Sequence, residues 1–261
     1  MSAQVENGTG QAAIGIREYD FSYDNWAALV KLGAEYKASD WSAGVTLTTP
    51  RLGLFGGADV GASLSYVDQG VVTGSPPTSQ IASNYQSQLS STYHSPLSIG
   101  AGFGKKWKGT RVDISAEWFA AVPKFTIIPA VAFQPQSPAT ADTVSMALTA
   151  QYRSLVNWGV GIQHQFSERY NACAAFRTDN TAIPTGVRSM GTVVNWNLLH
   201  ANLGVQATIG RAAIILGLDM AWGSKDDVSA ATDPPPGLPA VPTIDESYLS
   251  ITGAIGFKFT Y

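Results

Sequence analysis

Period-two alternation of apolar and polar residues runs along this chain almost from end to end. In the last segment Leu249, Ile251, Gly253, Ile255, Phe257, Phe259 and Tyr261 share one face, and Ser250, Thr252, Ala254, Gly256, Lys258 and Thr260 share the other. The same pattern recurs at Leu199–Ile209 and, after Gly210-Arg211, at Ile214–Trp222. It recurs again with Val144, Met146, Leu148, Ala150 and Tyr152 on the apolar face, and with Trp158, Val160, Ile162 and Phe166. Upstream, Leu97–Trp107 and Val112–Trp118 follow it, and the N-terminal third does so more noisily at Val30–Tyr36, Trp41–Leu47 and Val60–Tyr66. In each case the apolar set is expected to face outward and the small, polar set inward.

The polar face is dominated by Gly, Ser, Thr, Asn and Gln rather than by the charges of a soluble sandwich. The segments run roughly ten to twelve residues, the length of a tilted strand crossing a bilayer. Trp and Tyr end many of the apolar faces, as at Tyr36, Tyr66, Trp107, Trp118, Tyr152, Trp158, Trp222 and Tyr261, where interfacial girdles belong. The pattern predicts an all-β, antiparallel transmembrane β-barrel of about twelve strands, within a range of ten to fourteen, formed by residues 1–261 as one domain.

Short turns at Ser39-Asp40, Lys108-Gly109, Ser167-Glu168-Arg169 and Gly210-Arg211 alternate with longer polar or Pro-rich segments near 68–84, 123–141, 179–197 and 223–246. Such asymmetry predicts a periplasmic side with short turns and an external side with long ones. Two points stay open: Lys124 to Phe133 reads as a further strand or as loop, and Pro96 leaves 85–107 as one strand or two.

Composition agrees. Charged residues make up 13% of the chain against roughly 25% in soluble domains, and 45% is hydrophobic. No run approaches the ~20 apolar residues of a membrane helix, so a closed sheet is the membrane option left. A net charge of −3 with scattered Lys and Arg carries no basic stripe for nucleic acid. The single Cys173 allows no internal disulfide, and it falls on the inward parity as packing.

The last residues match the C-terminal signal read by the barrel-assembly machinery at Gly256, Phe259 and Tyr261, with Ala254 where a polar residue is usual. Three further stretches carry a family resemblance. They are Lys31-Leu-Gly-Ala-Glu-Tyr with Trp41-Ser-Ala-Gly-Val-Thr-Leu-Thr-Thr-Pro50, Gly161-Ile-Gln-His-Gln-Phe-Ser-Glu-Arg-Tyr-Asn running on to Pro184, and His200-Ala-Asn-Leu-Gly-Val with the closing Gly-Phe-Lys-Phe-Thr-Tyr. The chain thereby resembles the C-terminal barrel portion of the FadL family of outer-membrane transporters. The family's N-terminal hatch and early strands have no counterpart here. The resemblance implies a Gram-negative outer-membrane location, outer-membrane lipids and the assembly machinery as partners, and passive uptake of a hydrophobic small molecule such as a long-chain fatty acid or aromatic hydrocarbon. The N-terminus lacks the basic and apolar regions of a signal peptide, so that peptide and the hatch are expected upstream of Met1.

Candidate chemistry is sparse. Arg111, Asp113 and Glu117 fall on one inward face, and Arg153, His200 and Asp219 on others; together they are expected to face the lumen, tuning permeation or bracing it. Gly100-Ala-Gly-Phe-Gly-Lys105 lacks phosphate-loop spacing and reads as a strand with a small inner face. His94, His164 and His200 lack metal-ligand spacing, with His164 on the outward parity as an interfacial residue. Asp226, Asp227 and Asp233 lack the Gly and spacing of a calcium loop. A Ser-His pair such as Ser98 or Ser145 with His200 would suit an outer-membrane lipid hydrolase. The expectation is a transporter, not an enzyme, with no cofactor; a general porin or a structural barrel is the alternative.

Overall fold

A computed structural model describes residues 2–6, 12–68, 78–136, 143–184, 196–229 and 243–259. The described residues form fifteen antiparallel strands and no helix. The first group is β1 (Ser2–Glu6), β2 (Ala12–Ala28), β3 (Lys31–Lys37), β4 (Trp41–Thr48), β5 (Leu52–Asp68) and β6 (Thr78–Ser90). There follow β7 (Ser98–Trp107), β8 (Thr110–Phe119), β9 (Val122–Ile128), β10 (Leu148–Tyr152) and β11 (Leu155–Gln165). The last four are β12 (Tyr170–Asp179), β13 (Leu198–Ile209), β14 (Ala212–Ser229) and β15 (Thr243–Phe259).

Nine strands make one sheet in the order β15-β14-β13-β12-β11-β8-β7-β4-β3, four make a second as β1-β2-β5-β6, and β9 pairs with β10. These sheets are continuations of one another. The β2–β5 ladder ends at Ala28↔Leu52 and the β3–β4 ladder begins at Lys31↔Thr48, with the Thr49 amide donating to the Val30 carbonyl between them. Likewise β9–β10 extends β8–β11, since Tyr152↔Val122 is followed by Leu155↔Phe119. Merging such pairs leaves ten passes in a plain up-and-down meander. Both open points are thereby settled: 124–128 continues the pass begun by β8, and the chain around Pro96 is a break within one pass rather than a boundary between two.

Every short turn lies at one end of the meander. Lys108 and Gly109 both take positive φ, 42° and 84°, as a two-residue turn of the twist-matched kind requires, and Gly210 takes 61°. The longer connections all lie at the other end. They are shorter than the sequence pattern suggests: β6 starts at Thr78, β9 reaches Ile128 and β14 runs through Ser229. No ladder joins β15 to β1, β2 or β3 among the described residues.

The breaks at 29–30, 49–51, 91–97, 120–121 and 153–154 lie at one level, and the inward face changes there from small and polar to apolar and packed. On the short-turn side the apolar face is outward and exposed, with Ile255 71% and Phe257 68% accessible. Beyond the breaks, apolar residues of the long passes point inward and pack. Val60 is 3% exposed and Met146 1%, in a cluster with Ala58, Ala62, Ile127, Ile128, Leu148 and Ala150, ringed by Tyr19, Phe21, Tyr93, Phe125, Phe133 and Tyr152. Burying a side chain the size of Met146 or Ile128 contributes about 1.5–3 kcal/mol. This corrects the outward placement expected for Val60, Ala62, Met146, Leu148 and Ala150, and it removes Tyr66 and Tyr152 from the girdle. Alternation is the same whichever face finds the partner.

Candidate functional site

On the short-turn side the sheet curls around a cavity of about 840 Å³ whose wall comes from β3, β4, β7, β8, β11 and β12. One cross-strand row explains its floor. Glu35 pairs with Gly44, Gly44 with Gly102, Gly102 with Ser115, Ser115 with Gly159, and Gly159 with Arg177. Nothing larger than serine stands between Glu35 and Arg177, so the cavity exists because the inward set of each strand is small. Gly100, Gly102 and Gly104 of the glycine-rich segment belong to this wall.

Charged groups ring the floor. Arg111 and Asp113 form an ion pair, Nη2 to Oδ1 at 2.8 Å, with the Arg111 Nε donating to both carboxylate oxygens at 2.9 Å. Glu117, two turns of the pleat along, accepts the Ser98 hydroxyl at 2.7 Å across the β7–β8 pair. Arg111, Asp113 and Glu117 all line the cavity, and so do Glu35, Arg177 and Asp179, which the sequence pattern did not single out. Glu35 also lies 3.1 Å from Lys37 Nζ. Their signal was present as parity, Glu35 on the inward set of Lys31–Lys37 and Arg177 beside His200, but only the ladders place them together.

His200 is buried, directly opposite Arg177. The Arg177 Nη2 lies 3.3 Å from His200 Nδ1, and since guanidinium only donates, that nitrogen accepts and Nε2 carries the proton. Nε2 faces Asp179 Oδ2 at 3.8 Å and is buried with no hydrogen-bond partner among the described residues, while Asp219 Oδ1 lies 3.9 Å from Nδ1. His200 and Asp219 form a second polar group beside the cavity, near Arg177 and Asp179, which line it. Arg153 stands apart in the break between β10 and β11, donating to the Thr181 carbonyl at 3.0 Å and near Asn197 Oδ1 at 3.4 Å.

Ser98 is held by Glu117, and Ser145 is exposed on the opposite parity from Met146. His164 sits at the short-turn end with Thr110 Oγ1 at 2.7 Å from Nδ1 and Phe166 edge-on. No group of three or more His, Cys, Asp or Glu among the described residues could hold a metal ion. Cys173 is free and exposed, opposite Gly204, whose missing side chain leaves room for the thiol. Asp233 lies outside the described residues, as does Tyr261 of the terminal signal; Gly256 pairs with Ile215, and Phe259 is exposed opposite Ala212.

The outward face carries its aromatic residues at two levels. Tyr36 lies tilted against Trp41 at 5.1 Å, and Trp41 stacks beside Phe103 at 6.1 Å, near the short turns. At the level of the breaks, Trp26 lies 5.6 Å from Phe55, and the Trp118 indole donates to Ser154 Oγ at 2.8 Å. No protein family and no curated protein sequence matches the chain. Among solved structures it is similar to the CymD monoaromatic hydrocarbon channel at a TM-score of 0.41 and 11% identity, covering 100% of this chain and 85% of that one.

Proposed function

We propose that the protein is an outer-membrane β-barrel of the FadL-like kind that admits hydrophobic compounds, aromatic hydrocarbons or long-chain fatty acids, passively. The observation that carries this reading is the change of the inward face at the breaks, from a small polar lining to an apolar cluster. A sheet whose large residues face outward for seven to twelve residues in β3, β4, β7, β8, β11, β12 and β13, between two aromatic levels, suits a bilayer and not water. Directly beyond that band the same passes turn their apolar residues inward. A compound arriving from the long-connection side therefore meets an apolar interior before it meets the polar cavity. A hydrated solute meets the same interior as a barrier. Outer-membrane lipids surround the band in this reading, and the assembly machinery takes up β15 through Gly256, Phe259 and Tyr261.

The charged cavity favours a second reading, a small porin, because such residues line water-filled lumens. Refolded protein in liposomes separates the two. Uptake of a fluorescent fatty acid or a monoaromatic compound above protein-free vesicles, without swelling in sugars, is the expected result. Sugar-driven swelling with no hydrophobic uptake would hand the assignment to the porin.

A further inference from the structure

The apolar interior beyond the breaks is covered along one side by the segment 129–136, Pro129-Ala-Val-Ala-Phe-Gln-Pro-Gln136, which lies between β6 and the start of the β10 pass. Pro129 and Pro135 have no N–H, so the segment cannot continue β9 as a regular ladder. Two glutamine side chains replace the missing pairing. Gln86 Nε2 donates to the Val131 carbonyl at 2.7 Å while its Oε1 accepts the Val131 amide at 2.9 Å. Gln136 does the same in the other direction, donating to the Ser83 carbonyl at 2.6 Å and accepting the Ser83 amide at 2.8 Å. One backbone bond, from the Gln136 amide to the Ile81 carbonyl, completes that edge, and an isolated bridge between Phe133 and Val144 holds the other.

Both amide clasps are exposed, so water can take over each bond as it breaks. Phe133 of the segment packs onto the cluster that holds Ile128 and Met146, and the Met146 sulfur is itself 3.6 Å from Gln86 Nε2. Methionine repacks readily around a guest. The outward surface beside the clasps carries exposed Ile81, Tyr85 and Val131; Asp20, Ser22, Ser63 and Ser65 occupy outward positions on the neighbouring passes, with Ile14, Ile16 and Val67 exposed further along them.

From this geometry we propose that residues 129–136 are the gate through which an uncharged hydrophobic compound reaches the interior, with Gln86 and Gln136 as its clasps and Ile81, Tyr85 and Val131 as its landing surface. The proposal rests on the uptake reading above and names where that uptake begins. Opening needs no rearrangement of the membrane band: two side chains let go, Phe133 lifts, and Met146 is exposed to the guest.

The test uses the full chain in a Cys173→Ser background with Met146→Cys as a reporter, reacted with an apolar maleimide. Replacing both clasps, Gln86→Leu with Gln136→Leu, is expected to speed reporter labelling by about tenfold or more. A second reporter, Ala213→Cys, buried on β14 far from the segment, is expected to keep its rate, which separates local opening from loss of the fold. Liposome uptake of an uncharged aromatic probe is expected to rise in the same clasp variant. Unchanged Met146→Cys labelling overturns the gate, as does faster labelling of both reporters together. Faster Met146→Cys labelling alongside uptake that is normal in the parent but not raised in the variant overturns it too. Absent uptake in parent and variant alike refutes the transport reading, and the gate with it, even where the segment opens.

Discussion

Gly104 stands directly opposite Asp113 on the neighbouring strand, and the space its missing side chain leaves is filled by the Asp113 carboxylate and the Arg111 guanidinium that binds it. A Cβ at position 104 would run into that carboxylate, so the ion pair and the glycine are one feature seen from two strands. Gly104→Val is expected to push Asp113 out of place and to cost about 1–3 kcal/mol, as overpacked sites do. Gly253, where an added Cβ meets nothing within 4 Å, provides the contrast: Gly253→Ala should leave stability level or slightly raised. Urea unfolding of the two variants in detergent checks both.

The end of the outward apolar band at the breaks makes charge placement informative. Leu218→Arg, in the middle of the outward band on β14, is expected to destabilise by about 2–4 kcal/mol in bilayers. Ser63→Arg, exposed on β5 beyond the breaks, should change stability by less than about 0.5 kcal/mol. Equal losses in the two would mean that the band does not end at the breaks.

Beyond the breaks the interior should behave as an ordinary packed core. Met146→Ala is expected to cost about 2–5 kcal/mol, because Met146 is buried in one cluster with Ile128 and Leu148 and its loss leaves a cavity there. Val156→Ala, an exposed outward residue on β11, should cost far less in detergent. Chemical denaturation followed by tryptophan fluorescence reads both.

At the short-turn end, the Lys105 ammonium donates to the Asp40 carboxylate at 2.8 Å and holds it below its ordinary value of 3.8, first through the hydrogen bond and then through its charge. A lowered carboxylate contributes stability that is complete above the unfolded value and lost as pH falls through the folded one. Both groups are solvated, so the effect is small. Asp40→Asn is expected to flatten the acid limb of the Tm-versus-pH curve slightly below pH ~4 and to leave neutral pH nearly unchanged. A variant with a steeper acid limb would contradict the pairing.

Strand existence, the antiparallel meander and the short-turn end were legible in the residues alone, because alternation, Lys108-Gly109 and Gly210-Arg211 are local signals. So was the inward parity of Arg111, Asp113 and Glu117, since one strand carries all three. The partners of those residues were not. Gly104, Ser98 and Arg177 reach the same place only through register across separate strands, and register between distant segments is not written in either one. The direction of the apolar face was beyond sequence as well. Met146, Leu148 and Ala150 alternate just as Leu249, Ile251 and Ile255 do, yet the first set is buried inside and the second exposed outside. Period two says that a strand has an apolar face; whether it turns to lipid or to a core depends on which side of the breaks the pass has reached, and that is set by the whole sheet.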